Sequence, residues 1–123
     1  MTDIFLARVL GDASPEEKRP QWTNHPTFAG VRLCERVAAR DTDGAFRTLI
    51  VRLAPGARMA AHRHRNQVEQ HFVLSGDGAF TLDGVERSYR AGDLQVIAKN
   101  AEHSVRAGAG GMVILALFSP AGG

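Results

Sequence analysis

Gly56-Ala-Arg-Met-Ala-Ala-His62-Arg-His64-Arg-Asn-Gln-Val-Glu69-Gln-His71-Phe-Val-Leu-Ser-Gly76 is the stretch on which the reading of this chain turns. Four side chains able to hold a metal or move a proton, His62, His64, Glu69 and His71, fall within ten residues, between two glycines that can turn the backbone. On a β-strand successive side chains alternate faces, so His62 and His64 point the same way with one residue between them. Glu69 follows a polar break, Arg65-Asn66-Gln67, and opens an apolar run to Ser75 that reads as the next strand. If the two strands pair antiparallel, the carboxylate returns beside the imidazoles. Neutral imidazole nitrogens and a carboxylate oxygen suit divalent iron, manganese, nickel, copper or zinc without singling one out.

The flanking strands are legible in the same terms. Val31 to Ala39 and Ala45 to Leu53 are strand-like runs joined by Asp41-Thr-Asp-Gly44, a turn with the aspartate and glycine such bends prefer. Gly76-Asp77-Gly78 turns into Ala79 to Leu82, Asp83-Gly84 is a two-residue hairpin signal, and Val85 to Arg90 answers it. Leu94 to Ala98, His103 to Ala107 and Met112 to Phe118 complete the pattern, the last two separated by Gly108-Ala-Gly-Gly111. Nine or ten short strands without helical periodicity predict an all-β sandwich or barrel. Upstream, Ile4 to Leu10 reads as a strand, and Asp12 to Phe28 as a wrapping loop whose Trp22 and Phe28 pack on the body. Within that loop Ser14, Pro15 and Glu17 suit the cap of one helical turn, Pro20 and Pro26 forbid a longer helix, and His25 reads as a surface residue. The division is an arm and loop over 1–29, a barrel core over 30–118 and a loose tail over 119–123.

The spacing Gly56, five residues, His62-x-His64, four residues, Glu69, six residues, Gly76 resembles the first motif of the cupin family in both spacing and residue type. A second, less faithful motif runs from Gly92 to Ala107 and keeps its glycine, Gly92, and its histidine, His103. Ala98 stands for the usual proline, Asn100 for the second glycine and Ala107 for the closing asparagine; asparagine tolerates left-handed backbone, so a turn at Asn100 survives the exchange. The resemblance covers about Ala45 to Phe118. It implies a double-stranded β-helix, or jelly-roll barrel, with one divalent metal ion per chain held by His62, His64, Glu69 and His103, iron(II) or manganese(II) ahead of zinc, nickel or copper. It also implies a homodimer formed through the outer sheet.

Three histidines and a glutamate leave one or two positions of an octahedral ion open, which suits activation of something bound there. The leading expectation is a metal-dependent enzyme acting on a small organic molecule by dioxygenase-like oxidation. The alternatives are an isomerase, decarboxylase or lyase, or a non-catalytic ligand-binding or sensor module. His71 shares the face of Glu69 by alternation; it is a general acid and base, a donor to a ligand, or an inward polar residue satisfied by a neighbour. Arg58 has the parity of His62 and is a candidate for a substrate carboxylate. Met59, Phe72, Phe80 and Phe118 read as wall and core.

Composition excludes other classes. With 123 residues, 44% hydrophobic and 23% charged, the chain makes one domain with one core. A net charge of +2 and no more than two adjacent basic residues argue against nucleic acid as a partner. No apolar stretch approaches the roughly 20 residues of a membrane helix, no leader pattern is present, and the single cysteine, Cys34, reads as a small buried filler. The cytoplasm is the expected compartment.

Overall fold

The computed structural model describes residues 4–12, 15 and 19–122. The cap expected at Ser14 and Glu17 lies outside the described residues. Helix α1 (Ile4–Leu10) is followed by strands β1 (Thr23–Asn24), β2 (Val31–Val37), β3 (Arg47–Leu53), β4 (Arg58–His62), β5 (Val68–Leu82), β6 (Val85–Arg90), β7 (Leu94–Ile97) and β8 (His103–Ser119), with a 3-10 turn over Ala39–Thr42. All strand pairs are antiparallel, in the order β1-β2-β3-β8-β5-β6, with β4 also on β8 and β7 also on β5. The expected jelly-roll barrel is present. Its β5–β6 hairpin turns at Asp83 and Gly84, both with positive φ (48° and 83°), as the right-handed twist of a two-residue hairpin requires.

Three expectations change. Ile4 to Leu10 is helical: Leu6, Val9 and Leu10 lie on one face and pack with Trp22 against Cys34, Ile50 and Val113 on the outside of the barrel. A short apolar run does not distinguish strand from helix by periodicity, and the informative residue was Gly11. Its φ of 81° lets its own N–H reach Arg8 O at 3.1 Å and the N–H of Asp12 reach Ala7 O at 2.9 Å, a glycine-terminated helix end. Phe72 is exposed whereas Met59 and Phe80 are core and Phe118 packs against it.

Among the described residues there are eight strands: four expected strands merge into two, Ile4–Leu10 is lost to the helix, and Thr23–Asn24, expected as loop, is added. β5 runs through Gly76 and β8 through Gly108 to Gly111, each bending where its partner bends. The register of β5 on β8 slips between Val73 and Ser75 and again between Gly76 and Gly78, the bulges by which a sheet turns a barrel corner. The crossing is close: a Cβ on Gly76 would stand 2.1 Å from Gly111 O. No side chain fits there.

Register then sets the interior in rows, because directly paired residues point to the same face. The row nearest the mouth is Arg47, Phe118, Glu69 and Ile97, across β3, β8, β5 and β7. Beneath it lie Leu49, Ala116, His71 and Gln95, and beneath those Leu33, Val51, Ile114 and Val73. Phe80, Val73 and Ile114 are fully buried in this core.

Candidate metal centre

The three histidines come from two adjoining places. His62 ends β4 and pairs in register with His103 at the start of β8, so their rings share a face with centroids 4.3 Å apart. His64 follows β4 in a loop pinned by the N–H of Asn100, which donates to His64 O at 2.7 Å. Asn100 does adopt the left-handed turn expected of it, with φ 65°. One ligand nitrogen from each of His62, His64 and His103 lies within 4.8 Å of the others, and the three can hold a metal ion.

Glu69 does not arrive through a β4–β5 hairpin. No pairing joins those strands among the described residues; β8 lies between them and pairs with both. The carboxylate reaches the imidazoles from across the barrel. Its Oε1 lies 3.2 Å from His103 Nε2 and 3.4 Å from His64 Nε2, and Oε2 lies 2.6 Å from His71 Nε2.

Hydrogen bonds define which ring nitrogens face the centre. His62 Nδ1 meets Ala60 O at 2.7 Å and His103 Nδ1 meets Ala101 O at 3.1 Å. A carbonyl only accepts, so both Nδ1 atoms carry hydrogen and both Nε2 atoms in the neutral rings offer lone pairs inward. Buried His103 Nε2 and Glu69 Oε1 have no hydrogen-bond partner, an expensive arrangement for polar atoms unless a cation completes it. Two ligand atoms bound about 2.1 Å from one ion at right angles stand about 3 Å apart. The Oε1 to Nε2 spacings come close to that edge, so the three histidines fit a divalent metal in chemistry and in size, with the Glu69 carboxylate beside two of them and outside the histidine trio.

The electrostatics run the same way. Burial pushes the Glu69 carboxyl up, but His103, His64 and His71 around it pull it down by more and leave it well below the usual carboxylate range. Burial lowers His62 and keeps its ring neutral. Burial also opposes charging of His103, yet the carboxylate beside it and the Ala101 carbonyl raise it overall. A proton therefore competes with metal at His103.

His71, 1% exposed, is consumed on both sides: Nε2 meets Glu69 Oε2, and Nδ1 meets the Tyr89 hydroxyl at 3.1 Å. Burial, the Glu69 charge and Asp93 push the Tyr89 hydroxyl far up, so it stays protonated and can donate. Arg58 is exposed and the neighbouring Met59 is buried, because β4 slips register against β8 between Met59 and His62 and breaks the parity between Arg58 and His62. That removes Arg58 as a residue facing the site.

A cavity of about 350 Å³ opens beside the cluster, lined by His64, Glu69, Phe118, Arg47, His25 and Gln67 among others. His25 is therefore half-buried in the cavity wall, stacked on Phe28 at 4.6 Å, although it stands outside the histidine cluster. A second cavity, of about 400 Å³, lies under α1 between Leu6, Arg32, Arg52 and Met112 and contains none of the clustered histidines. Sequence reasoning missed Arg47 and Tyr89. Alternation in Arg47-x-Leu49-x-Val51-x-Leu53 did place an arginine on an inward face; nothing local marked Tyr89.

The profile of the cupin domain family matches residues 49–118, which hold the whole histidine and glutamate cluster. The chain belongs to the cupin family. This cupin is 36% identical over 90 residues to dimethylsulfoniopropionate lyase DddW of Ruegeria pomeroyi, covering 71% of this chain and 57% of that one. It is 29% identical over 55 residues to an oxalate-binding protein of Thermotoga maritima, covering 45% and 46%. It spans about half the length of these curated relatives. The solved structure of KdgF from Halomonas sp. superposes with a TM-score of 0.72 at 21% identity, over 81% of this cupin and 86% of that chain, a likeness of fold. By name one curated relative is a lyase and the other a binding protein. Among the described residues no helix is long and apolar enough to cross a membrane.

Proposed function

We propose that this cupin is a metal-dependent enzyme that cleaves a bond in a small organic molecule without oxidising it, a lyase or decarboxylase type of activity. The observation that carries the reading is the pair of unpartnered buried atoms, Glu69 Oε1 and His103 Nε2, facing two further imidazoles beside an open cavity. His62, His64, His103 and Glu69 would hold the ion, which when bound would supply a Lewis acid with open positions toward the cavity. Lyase chemistry ranks ahead of the dioxygenase-like oxidation implied by the family resemblance because of the likeness to the Ruegeria lyase.

The chain's own groups divide the remaining work. His71 holds its proton on Nε2, donates it to Glu69 Oε2, and leaves Oε1 to face the ion. Tyr89 fixes that tautomer by donating to His71 Nδ1. His71 thus acts through Glu69, holding and orienting the carboxylate. Leu33, Leu49, Val51 and Met59 line the apolar part of the cavity and restrict water around the reacting bond. The exposed outer face bearing Phe72, Leu94 and Val96 is the surface through which two copies would pair, and a sedimentation experiment on Phe72→Asp tests that pairing.

The test of function is turnover of dimethylsulfoniopropionate and of oxalate by protein loaded with manganese(II), iron(II) or zinc(II), with and without oxygen. Volatile sulfide or carbon dioxide released at equal rates under argon supports the proposal. Oxygen uptake matching product returns the dioxygenase reading, and saturable binding with no product under any metal makes this a binding module.

A further inference from the structure

The row of Arg47, Phe118, Glu69 and Ile97 holds one charged residue that the metal centre does not use. Arg47 on β3 pairs with Phe118 on β8, and Phe118 pairs with Glu69 on β5. Neighbouring strands lie about 4.8 Å apart, so the backbones of Arg47 and Glu69 are about 10 Å apart with the Phe118 ring between them. The guanidinium carbon sits 5.7 Å from the centre of that ring, and the His64 ring sits 5.2 Å from it on an edge-on contact. An arginine resting on an aromatic face is held in place without a carboxylate partner, and its fork stays open for bidentate binding.

Among the described residues nothing satisfies this cation fully. Its Nε is buried with no hydrogen-bond partner. The acid beside it, Glu35, lies 4.0 Å away, with side chains 37% and 45% exposed, a contact of the weakest kind. Among the described residues lining the cavity Arg47 is the single lysine or arginine, and His64 and Glu69 line the same cavity. A partly exposed guanidinium and the histidine and glutamate cluster line one 350 Å³ cavity, which suits a ligand carrying an anionic group for the arginine and a second group for the cluster.

We propose that Arg47 is the carboxylate anchor of this cavity and sets its specificity for small carboxylic acids. The ligand's second contact rests on the metal reading above, whereas the anchor stands on Arg47 and Phe118 alone. A guanidinium fork matches a carboxylate in charge and shape and discriminates against the neutral amide of the same size.

Calorimetric titration of succinate and of its neutral isostere succinamide tests the anchor, using zinc-loaded and metal-free protein in parallel, with zinc content measured for every variant. Wild type binds succinate and discriminates against succinamide; Arg47→Gln weakens succinate ten- to hundredfold and leaves zinc content unchanged; Arg47→Lys recovers part of the loss. Glu35→Gln separates the anchor from a merely structural ion pair: it leaves succinate affinity equal or tighter if Arg47 binds ligand, and copies Arg47→Gln if the two residues only brace β2 against β3. If Arg47→Gln does not fold, Arg47→Lys and Glu35→Gln carry the same decision. Succinate affinity within twofold of wild type in a folded Arg47→Gln protein, with and without zinc, overturns the proposal. If wild type takes up no zinc, the function proposed above fails, and the metal-free titration still decides for or against the anchor by its dependence on Arg47.

Discussion

Replacing Glu69 with glutamine is the sharpest perturbation of the centre, because it keeps the shape and removes the one negative charge. The carboxylate is 5% exposed and lies 2.6 to 3.4 Å from three imidazole nitrogens, so its charge acts in a largely dry setting. Two unit charges about 4 Å apart at an effective dielectric near 20 interact by about 4 kcal/mol, and a divalent ion feels more than a monovalent one. An amide oxygen still ligates and recovers part of this. Zinc or manganese affinity in Glu69→Gln should therefore fall by at least about a hundredfold, roughly 2.7 kcal/mol.

The metal-free protein gives an independent readout with a definite sign. Glu69 is depressed, so its contribution to stability is present above the ordinary carboxylate range and lost as pH falls through its folded value. His103 is raised, so its contribution is complete below the ordinary histidine value and lost as pH rises through its folded value. Their mutual stabilisation peaks between these limits, from about pH 4.5 to about pH 6.5. Thermal unfolding of metal-free wild type and Glu69→Gln should differ most in that window, with glutamine the less stable, and the difference should narrow at higher pH as His103 loses its proton. A hundredfold loss of metal affinity with no such window would mean that the charge is not shared with His103. Unchanged metal affinity would refute the ligand assignment itself.

Other outcomes follow from the same geometry. Metal content in the presence of a chelator should fall as pH drops through the histidine range, and retention well below pH 5 would contradict ligation by neutral imidazoles. His103→Ala should empty the site while His25→Ala leaves occupancy unchanged, since His25 stands outside the cluster; elemental analysis of both decides. Tyr89→Phe removes the donor to His71 Nδ1 and should cost about tenfold in metal affinity, measured by competition with a chromophoric chelator. Gly76→Ala should destabilise the fold by about 3 kcal/mol or more in denaturant titrations, because φ is 82° and the new Cβ meets Gly111 O at 2.1 Å.

Local chemistry written along the chain determined much of this protein. Alternation and turn residues set the β class, Asp83-Gly84 set a hairpin with both central residues at positive φ, and Cys34 reads as buried filler and is fully buried. His62 and His64 were also visible as a pair, since their spacing is a property of neighbouring residues on one strand, and His103 joined them through the family resemblance of its own motif. Only the tertiary structure decided which parts of the barrel meet. Alternation gives the face of a side chain but not the strand beside it, so Glu69 crossing from β5 over β8, Tyr89 closing on His71 and Arg47 sharing a row with Phe118 emerge from pairings far apart in sequence. Parity fails wherever register slips, which is why Arg58 left the site. The N-terminal helix belongs to the same class: a short apolar segment takes the conformation that its docking surface rewards, and the surface offered by Cys34, Ile50 and Val113 exists only once the sheet has formed.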